Sequence, residues 1–132
     1  MKLIDTNIFI YASGKPHPFR EKSQHVLKQV MLNPMGFNIS SEILQEILHV
    51  YSNKNSMKKG IKLVETVLKI FPQVFPITTK EILTTGEVLE AHPRLNARDA
   101  LHVAVVINYE LEGIVSFDRH FDSVKEILRF EP

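Results

Sequence analysis

Lys2-Leu3-Ile4-Asp5-Thr6-Asn7 and, far along the chain, Ile114-Val115-Ser116-Phe117-Asp118 decide the reading of the fold, because each is a short apolar run closed by an aspartate. Runs this brief read as buried strands rather than helices. Between them the period changes. Phe19 to Leu32 carries Val26, Leu27, Val30 and Met31 at helical spacing until Asn33-Pro34 stops it. Ser40-Ser41 offers an N-cap to a helix with Ile43, Leu44, Ile47, Leu48, Val50 and Tyr51 on one side and Glu42, Gln45, Glu46 and His49 on the other. A third helix runs from near Ser56 to before Pro72, with Met57, Ile61, Val64, Leu68 and Phe71 inward. Thr78 or Thr79 caps a fourth, to about Ala91, and Asn96 caps a fifth, Ala97 to Tyr109, whose stretch Ala100–Ile107 is apolar almost all round and so predicts a buried helix. Phe37–Ile39, Gln73–Ile77 and Ile127–Phe130 read as further short strands, the second interrupted by Pro76 and hence short or at an edge. Short apolar strands alternating with helices predict an α/β fold, a mainly parallel sheet in a three-layer α/β/α sandwich, with residues 1–132 as one domain.

Composition narrows the function classes. The chain has 132 residues, 44% apolar and 23% charged, which excludes the disordered and collagen-like classes. A formal net charge of +1 argues against nucleic-acid binding by bulk electrostatics and leaves only local basic faces. No apolar run approaches the roughly 18 residues that cross a bilayer, and Asp5 stands where a secretion signal needs apolar residues, so a cytoplasmic location is expected. With no cysteine there is no disulfide framework, thiolate zinc site or cysteine nucleophile, and any metal must be held by oxygen or imidazole. There is no Gly-rich phosphate loop, no His-Glu-x-x-His and no Gly-x-Ser-x-Gly. Glu46-Ile47-Leu48-His49 is a single Glu-x-x-His, and di-iron bundles need a second copy.

The acids are distributed unevenly. Of 15, only four are aspartates, Asp5, Asp99, Asp118 and Asp122, and none lies between residues 6 and 98. Each has an ordinary reading: Asp5 opens an Asx-turn, Asp99 answers a cap at Asn96, and Asp118 and Asp122 flank a turn at Arg119-His120. Glu46 is at first sight one more solvated glutamate, although helical steps put it nearer the apolar shoulder than Glu42. His102 reads as a partly buried helix residue and His120 as a loop residue, neither a metal ligand. In open parallel sheets, however, ligands collect beyond the carboxyl ends of the strands, where Asp5 and Asp118 both stand.

Leu3-Ile4-Asp5-Thr6-Asn7-Ile8, Ile39-Ser40-Ser41 followed by Glu46, Ala97-Arg98-Asp99-Ala100-Leu101-His102-Val103-Ala104 and Ile114 to Phe121, in this order, resemble the PIN-domain nucleases, specifically their VapC-like toxin branch. The resemblance spans the chain. It implies an acidic cluster of Asp5, Glu46, Asp99 and Asp118, with Asp122 as accessory acid and Thr6, Asn7 and Ser116 as polar helpers; Glu42 competes with Glu46 for the second position. Carboxylates gathered in one pocket raise one another's pKa unless a cation compensates them, and hard oxygen ligands suit Mg²⁺ or Mn²⁺. Metal-assisted hydrolysis of a phosphodiester follows. Asp5, Asp99, Asp118 and Asp122 are assigned as metal ligands, and Glu46 as a general base or a ligand through water. Arg98 and Arg119, each beside a motif aspartate, are assigned to a substrate phosphate or to pairing with an antitoxin carboxylate. The lysines around the third helix, Lys54, Lys58, Lys59, Lys62 and Lys69, read as a solvated face; the alternative is that Lys58, Lys62 and Lys69, which share a face at helical spacing, track a phosphate backbone. The family further implies an RNA substrate, a cognate antitoxin and a homodimer. The alternatives are a catalytically silent module of the same fold that binds RNA or protein, and a nuclease acting on structured DNA.

Overall fold

The computed structural model describes residues 1–132. Its strands are β1 (Lys2–Ile4), β2 (Phe37–Asn38), β3 (Gly113–Val115) and β4 (Arg129–Phe130), all parallel in the order β2-β1-β3-β4. Parallel neighbours need crossovers, and helices supply them: α1 (Thr6–Ser13), α2 (Arg20–Leu32), α3 (Ser41–Asn53), α4 (Met57–Ile70), α5 (Thr79–Ala91) and α6 (Ala97–Asn108).

Alternation along the strands splits the core in two. Ile4 and Val115 pack with Ile8 and Phe9 of α1, Val26 and Val30 of α2, Ile43 and Ile47 of α3 and Val67 of α4. Leu3 and Ile114, one residue earlier in each strand, turn to the opposite face and pack with Val88 of α5 and Val103 and Val106 of α6. The sheet is thus covered on both sides, the expected three-layer sandwich. Helix α6 is buried continuously from Ala100 to Val106, as its all-round apolar sequence predicts. No helix is long and apolar enough to cross a membrane.

Two expectations need correction. Gln73–Ile77 forms no strand; it contributes one parallel bridge, Ser40 to Phe75, with Phe75 N–H donating to the Ile39 carbonyl at 2.9 Å. Helix α4 is also rotated from the expected face: Met57, Ile61 and Leu68 are exposed, while Gly60, Val67 and the following Phe71 are buried. Gly60 is the reason. A Cβ there would lie 2.7 Å from Cβ of Tyr51, so the α3–α4 contact is made where α4 has no side chain.

At Gly113 the backbone has φ +158°, and a Cβ would lie 2.1 Å from the Leu128 carbonyl oxygen. That close approach lets the segment leading into β4 run along β3, where Ile114 N–H donates to the same carbonyl at 2.9 Å.

Candidate active site

Register fixes the heart of the site. Strands β1 and β3 are neighbours with Ile4 opposite Val115, so the chain leaves both at the same edge, and Asp5 N–H still donates to the Val115 carbonyl at 3.1 Å. Asp5 is the N-cap of α1: its Oδ1 accepts the Thr6 N–H at 2.7 Å, one residue on rather than the two of an Asx-turn, while Oδ2 accepts the Ser116 hydroxyl at 2.5 Å. Ser116 Oγ in turn accepts the Asp118 N–H at 3.0 Å. One buried hydroxyl therefore ties the β1 aspartate to the β3 loop.

Glu46 enters from α3. It is only 8% exposed, accepts the Thr6 hydroxyl, and has both carboxylate oxygens 3.2 Å from Nε2 of His102. Glu42, one turn earlier, lies outside the group formed by Asp5, Glu46 and His102, whose ligand atoms all fall within 4.8 Å of one another. A second such group, Asp99, Asp118 and His120, is more exposed. Asp99 sits in the first turn of α6, where its N–H donates to Oδ1 of Asn96 at 2.8 Å and its Oδ2 accepts Nδ2 of the same asparagine at 3.1 Å. The capping role and a place in the cluster are thus combined in one residue. Asp118 caps the 3₁₀ turn Arg119–Ser123, accepting the His120 N–H at 2.8 Å, with Nδ1 of His120 at 2.9 Å from the same oxygen.

A PIN domain family model matches residues 2–127. The chain belongs to the PIN-domain family. Ribonuclease VapC13 of Mycobacterium tuberculosis is 31% identical to this PIN domain over 98% of each chain. Among solved structures, VapC20 of Mycobacterium tuberculosis, titled a sarcin-ricin loop cleaving toxin, superposes over 100% of both chains with TM-score 0.82 at 14% identity. VapBC2 of Rickettsia felis, bound to a DNA fragment from its promoter, gives TM-score 0.76 at 20% identity, covering 98% of this chain and 96% of that one.

The acids of this PIN domain act on one another. Burial raises Asp5 above the usual carboxyl range and Glu46 adds to the rise, against a partial offset from His102 and the Ser116 hydroxyl. Asp99 is raised by burial, then by Asp118, Asp5 and Glu46. Glu42 is raised by burial and by Glu46. Glu46 goes the other way: burial works against its charge, but the His102 hydrogen bond and charge, the Thr6 hydroxyl and Arg98 outweigh it. Burial likewise works against a charged His102, and Glu46, then Asp5 and Asp99, outweigh that and raise it. The donors are carboxylate oxygens joined by imidazole, with no thiolate, and mutual repulsion among the acids leaves room for added positive charge. Those residues fit a hard divalent cation.

Other expected site residues are placed differently. Asp122, expected as an accessory ligand, joins neither group. It is held by Arg129, with Nε at 2.8 Å from Oδ1 and Nη2 at 3.1 Å from Oδ2, and Arg129 Nη1 also donates to the Ser116 carbonyl at 2.9 Å. A bidentate arginine satisfies both carboxylate oxygens, which removes Asp122 from the acid cluster. Asn7 is exposed and stands outside the Asp5–Ser116–Asp118 hydrogen-bond chain. Arg98 is exposed and near enough to Glu42 and Glu46 to favour their ionised forms, whereas Arg119 acts on Asp122. His102 is the residue that sequence reasoning missed: it is 1% exposed, not partly buried, and its Nδ1 has no partner. Its one polar signal, a histidine inside an otherwise apolar helix, names no partner when Glu46 lies 56 residues away.

Proposed function

We propose that this protein is a metal-dependent endoribonuclease, the toxin of a toxin–antitoxin pair, with residues 1–132 acting as one nuclease domain in the cytoplasm. The observation that carries this is the convergence of Asp5, Glu46, Asp99 and Asp118 at the carboxyl edge of β1 and β3 in a chain of the PIN family. Likeness to Ribonuclease VapC13 supports RNA as substrate, and the VapBC2 neighbour supports an antitoxin partner. A homodimer belongs to the same reading, and exposed Ile82 and Leu83 on α5 leave apolar surface for one.

Asp5, Asp99 and Asp118 would hold Mg²⁺ or Mn²⁺, with Glu46 beside them. A bound divalent ion supplies charge neutralisation at the scissile phosphate and a more acidic water. The chain's own residues supply the rest. Ser116 and the Thr6 N–H fix both oxygens of Asp5, so its orientation is set before any ligand arrives. Glu46, held ionised by His102 and Thr6, is the proton acceptor for the attacking water. Arg98, exposed and near enough to Glu46 to favour its charge, would meet a phosphate oxygen.

The test is cleavage of single-stranded and structured RNA by purified protein with Mn²⁺, with chelator, and with Asp118→Asn. Cutting that needs the metal and Asp118 is expected. RNA bound but left intact favours the catalytically silent module, and cutting of structured DNA in preference to RNA favours the DNA nuclease.

A further inference from the structure

A cavity of about 670 Å³ lies between the end of α1, the loop after it, and the α3–α4 turn. Lys15, Lys54 and Lys59 line it together with Tyr11, His17 and Tyr51, and no carboxylate does. Three cations with no anion in a chain of net charge +1 form a local basic site, not a reflection of overall charge. The rings are ordered among themselves. Tyr11 and His17 stack with centroids 4.4 Å apart and planes at 24°, and Tyr11 meets Phe117 edge-on at 5.8 Å. Phe117, next to Asp118 in the chain, also stacks on Phe19 at 4.1 Å, so a packed aromatic group joins the loop after β3 to the end of α1. Along α1 the same path is marked by exposed Asn7, one turn before Tyr11 on the same face. From Asp5 to Tyr11 the helix rises about 9 Å.

We infer that this cavity binds single-stranded RNA flanking the scissile bond, its rings stacking on unpaired bases and its lysines meeting the backbone phosphates. The combination is what selects this ligand: aromatic faces beside a cationic groove bind unpaired nucleic acid, whereas a duplex keeps its bases stacked inside. An acidic peptide would use the lysines and leave the rings without a role. Of the lysines around α4, only Lys54 and Lys59 take part, joined by Lys15 from the α1–α2 loop; Lys58, Lys62 and Lys69 lie elsewhere. The inference deepens the ribonuclease reading and rests on it for the purpose of binding, but binding itself is measured separately.

The experiment is fluorescence anisotropy of a short mixed-sequence single-stranded RNA with the full chain in chelator, followed by Mn²⁺ and a cleavage readout on the same RNA. Combined Lys15→Glu, Lys54→Glu and Lys59→Glu is expected to weaken binding at least about 10-fold and lower the salt slope by about two. His17→Ala, at an exposed position, is expected to weaken binding about fivefold with the slope unchanged. A control triple at exposed positions outside the cavity, Lys69→Glu, Lys80→Glu and Lys125→Glu, makes the same change in net charge and is expected to bind near the wild-type level. Equal weakening by both triples overturns the site in favour of general charge. Full binding by His17→Ala, with polyglutamate competing as well as unlabelled RNA, overturns it in favour of an acidic peptide. RNA bound through the cavity but never cut supports the site while removing the nuclease reading, and cutting by variants that bind like wild type removes the site alone. No binding and no cutting by the wild type removes both.

Discussion

Nε2 of His102 stands 3.2 Å from each carboxylate oxygen of Glu46, with both side chains nearly closed to solvent. An imidazole shared between two oxygens of one carboxylate fixes the orientation of that carboxylate and supplies positive charge within the acid group. Breaking a buried pair from one side leaves the other charge uncompensated. His102→Leu is therefore expected to destabilise the metal-free protein by about 3 kcal/mol. Saturating Mn²⁺ should recover much of that loss. Urea unfolding with chelator and with Mn²⁺ measures both, and a variant as stable as wild type in chelator would show that the pair holds nothing.

The metal-free protein should lose stability as pH rises from about 5 to 8. His102 is raised, so its contribution is complete below its ordinary value of 6.5 and is lost as pH climbs through the folded value. Asp5 and Asp99 are raised above 3.8, so they too favour the folded state at low pH and cease to do so as pH climbs through their folded values. Glu46 is lowered from 4.5 and acts in the opposite sense, but only as pH falls below that value. Excess Mn²⁺ should flatten or reverse the trend, because metal ligands bind deprotonated. Thermal unfolding across this range in chelator and in Mn²⁺ checks it; a chelated protein that gains stability with pH would contradict the assignment.

Asp5 separates chemistry from folding. Asp5→Asn and Asp5→Ala should each cut RNA cleavage more than about 100-fold, since a ligand matters at least as much as the groups behind it. Their stabilities should differ. Asparagine keeps an acceptor for the Thr6 N–H and removes a charge that burial and Glu46 oppose, so the metal-free variant should match or exceed wild type. Alanine also loses the cap, at a cost of about 1 kcal/mol. Equal unfolding curves for the two variants would argue against the cap.

Asp122→Asn should leave the response to Mn²⁺ intact, in contrast to Asp5→Asn, because its oxygens are committed to Arg129. A loss of metal response in calorimetric titration would return Asp122 to the ligand set.

Gly113→Ala tests the sheet apart from the site. A methyl group placed 2.1 Å from the Leu128 carbonyl has backbone to displace rather than a side chain, so a loss of about 2–3 kcal/mol is expected in equilibrium unfolding. Wild-type stability would mean that β4 shifts freely.

What was legible in the sequence followed from local pattern. Leu3-Ile4 and Ile114-Val115 read as strands because they are apolar and end abruptly, and the aspartates after them were placed by strand polarity alone. The all-round apolar stretch of α6 announced its burial. The face of α4 was misjudged because hydrophobic spacing weighs Met57, Ile61 and Leu68 and gives no weight to Gly60, although close packing against Tyr51 depends on the absence of a side chain. Asp122 and Asp118, four residues apart beside basic neighbours, look alike in sequence; Arg129, seven residues beyond Asp122, separates them. The bond between His102 and Glu46 joins two helices, and periodicity within either one carries no information about it.

Helices α1 and α6 both begin at the acid cluster, Asp5 capping one and Asp99 lying in the first turn of the other. The unsatisfied N–H groups there carry partial positive charge directed at the acids, in addition to His102. A newly made chain can therefore close its structure without waiting for an ion, and on the proposed metal dependence ion supply would govern when it acts rather than whether it survives.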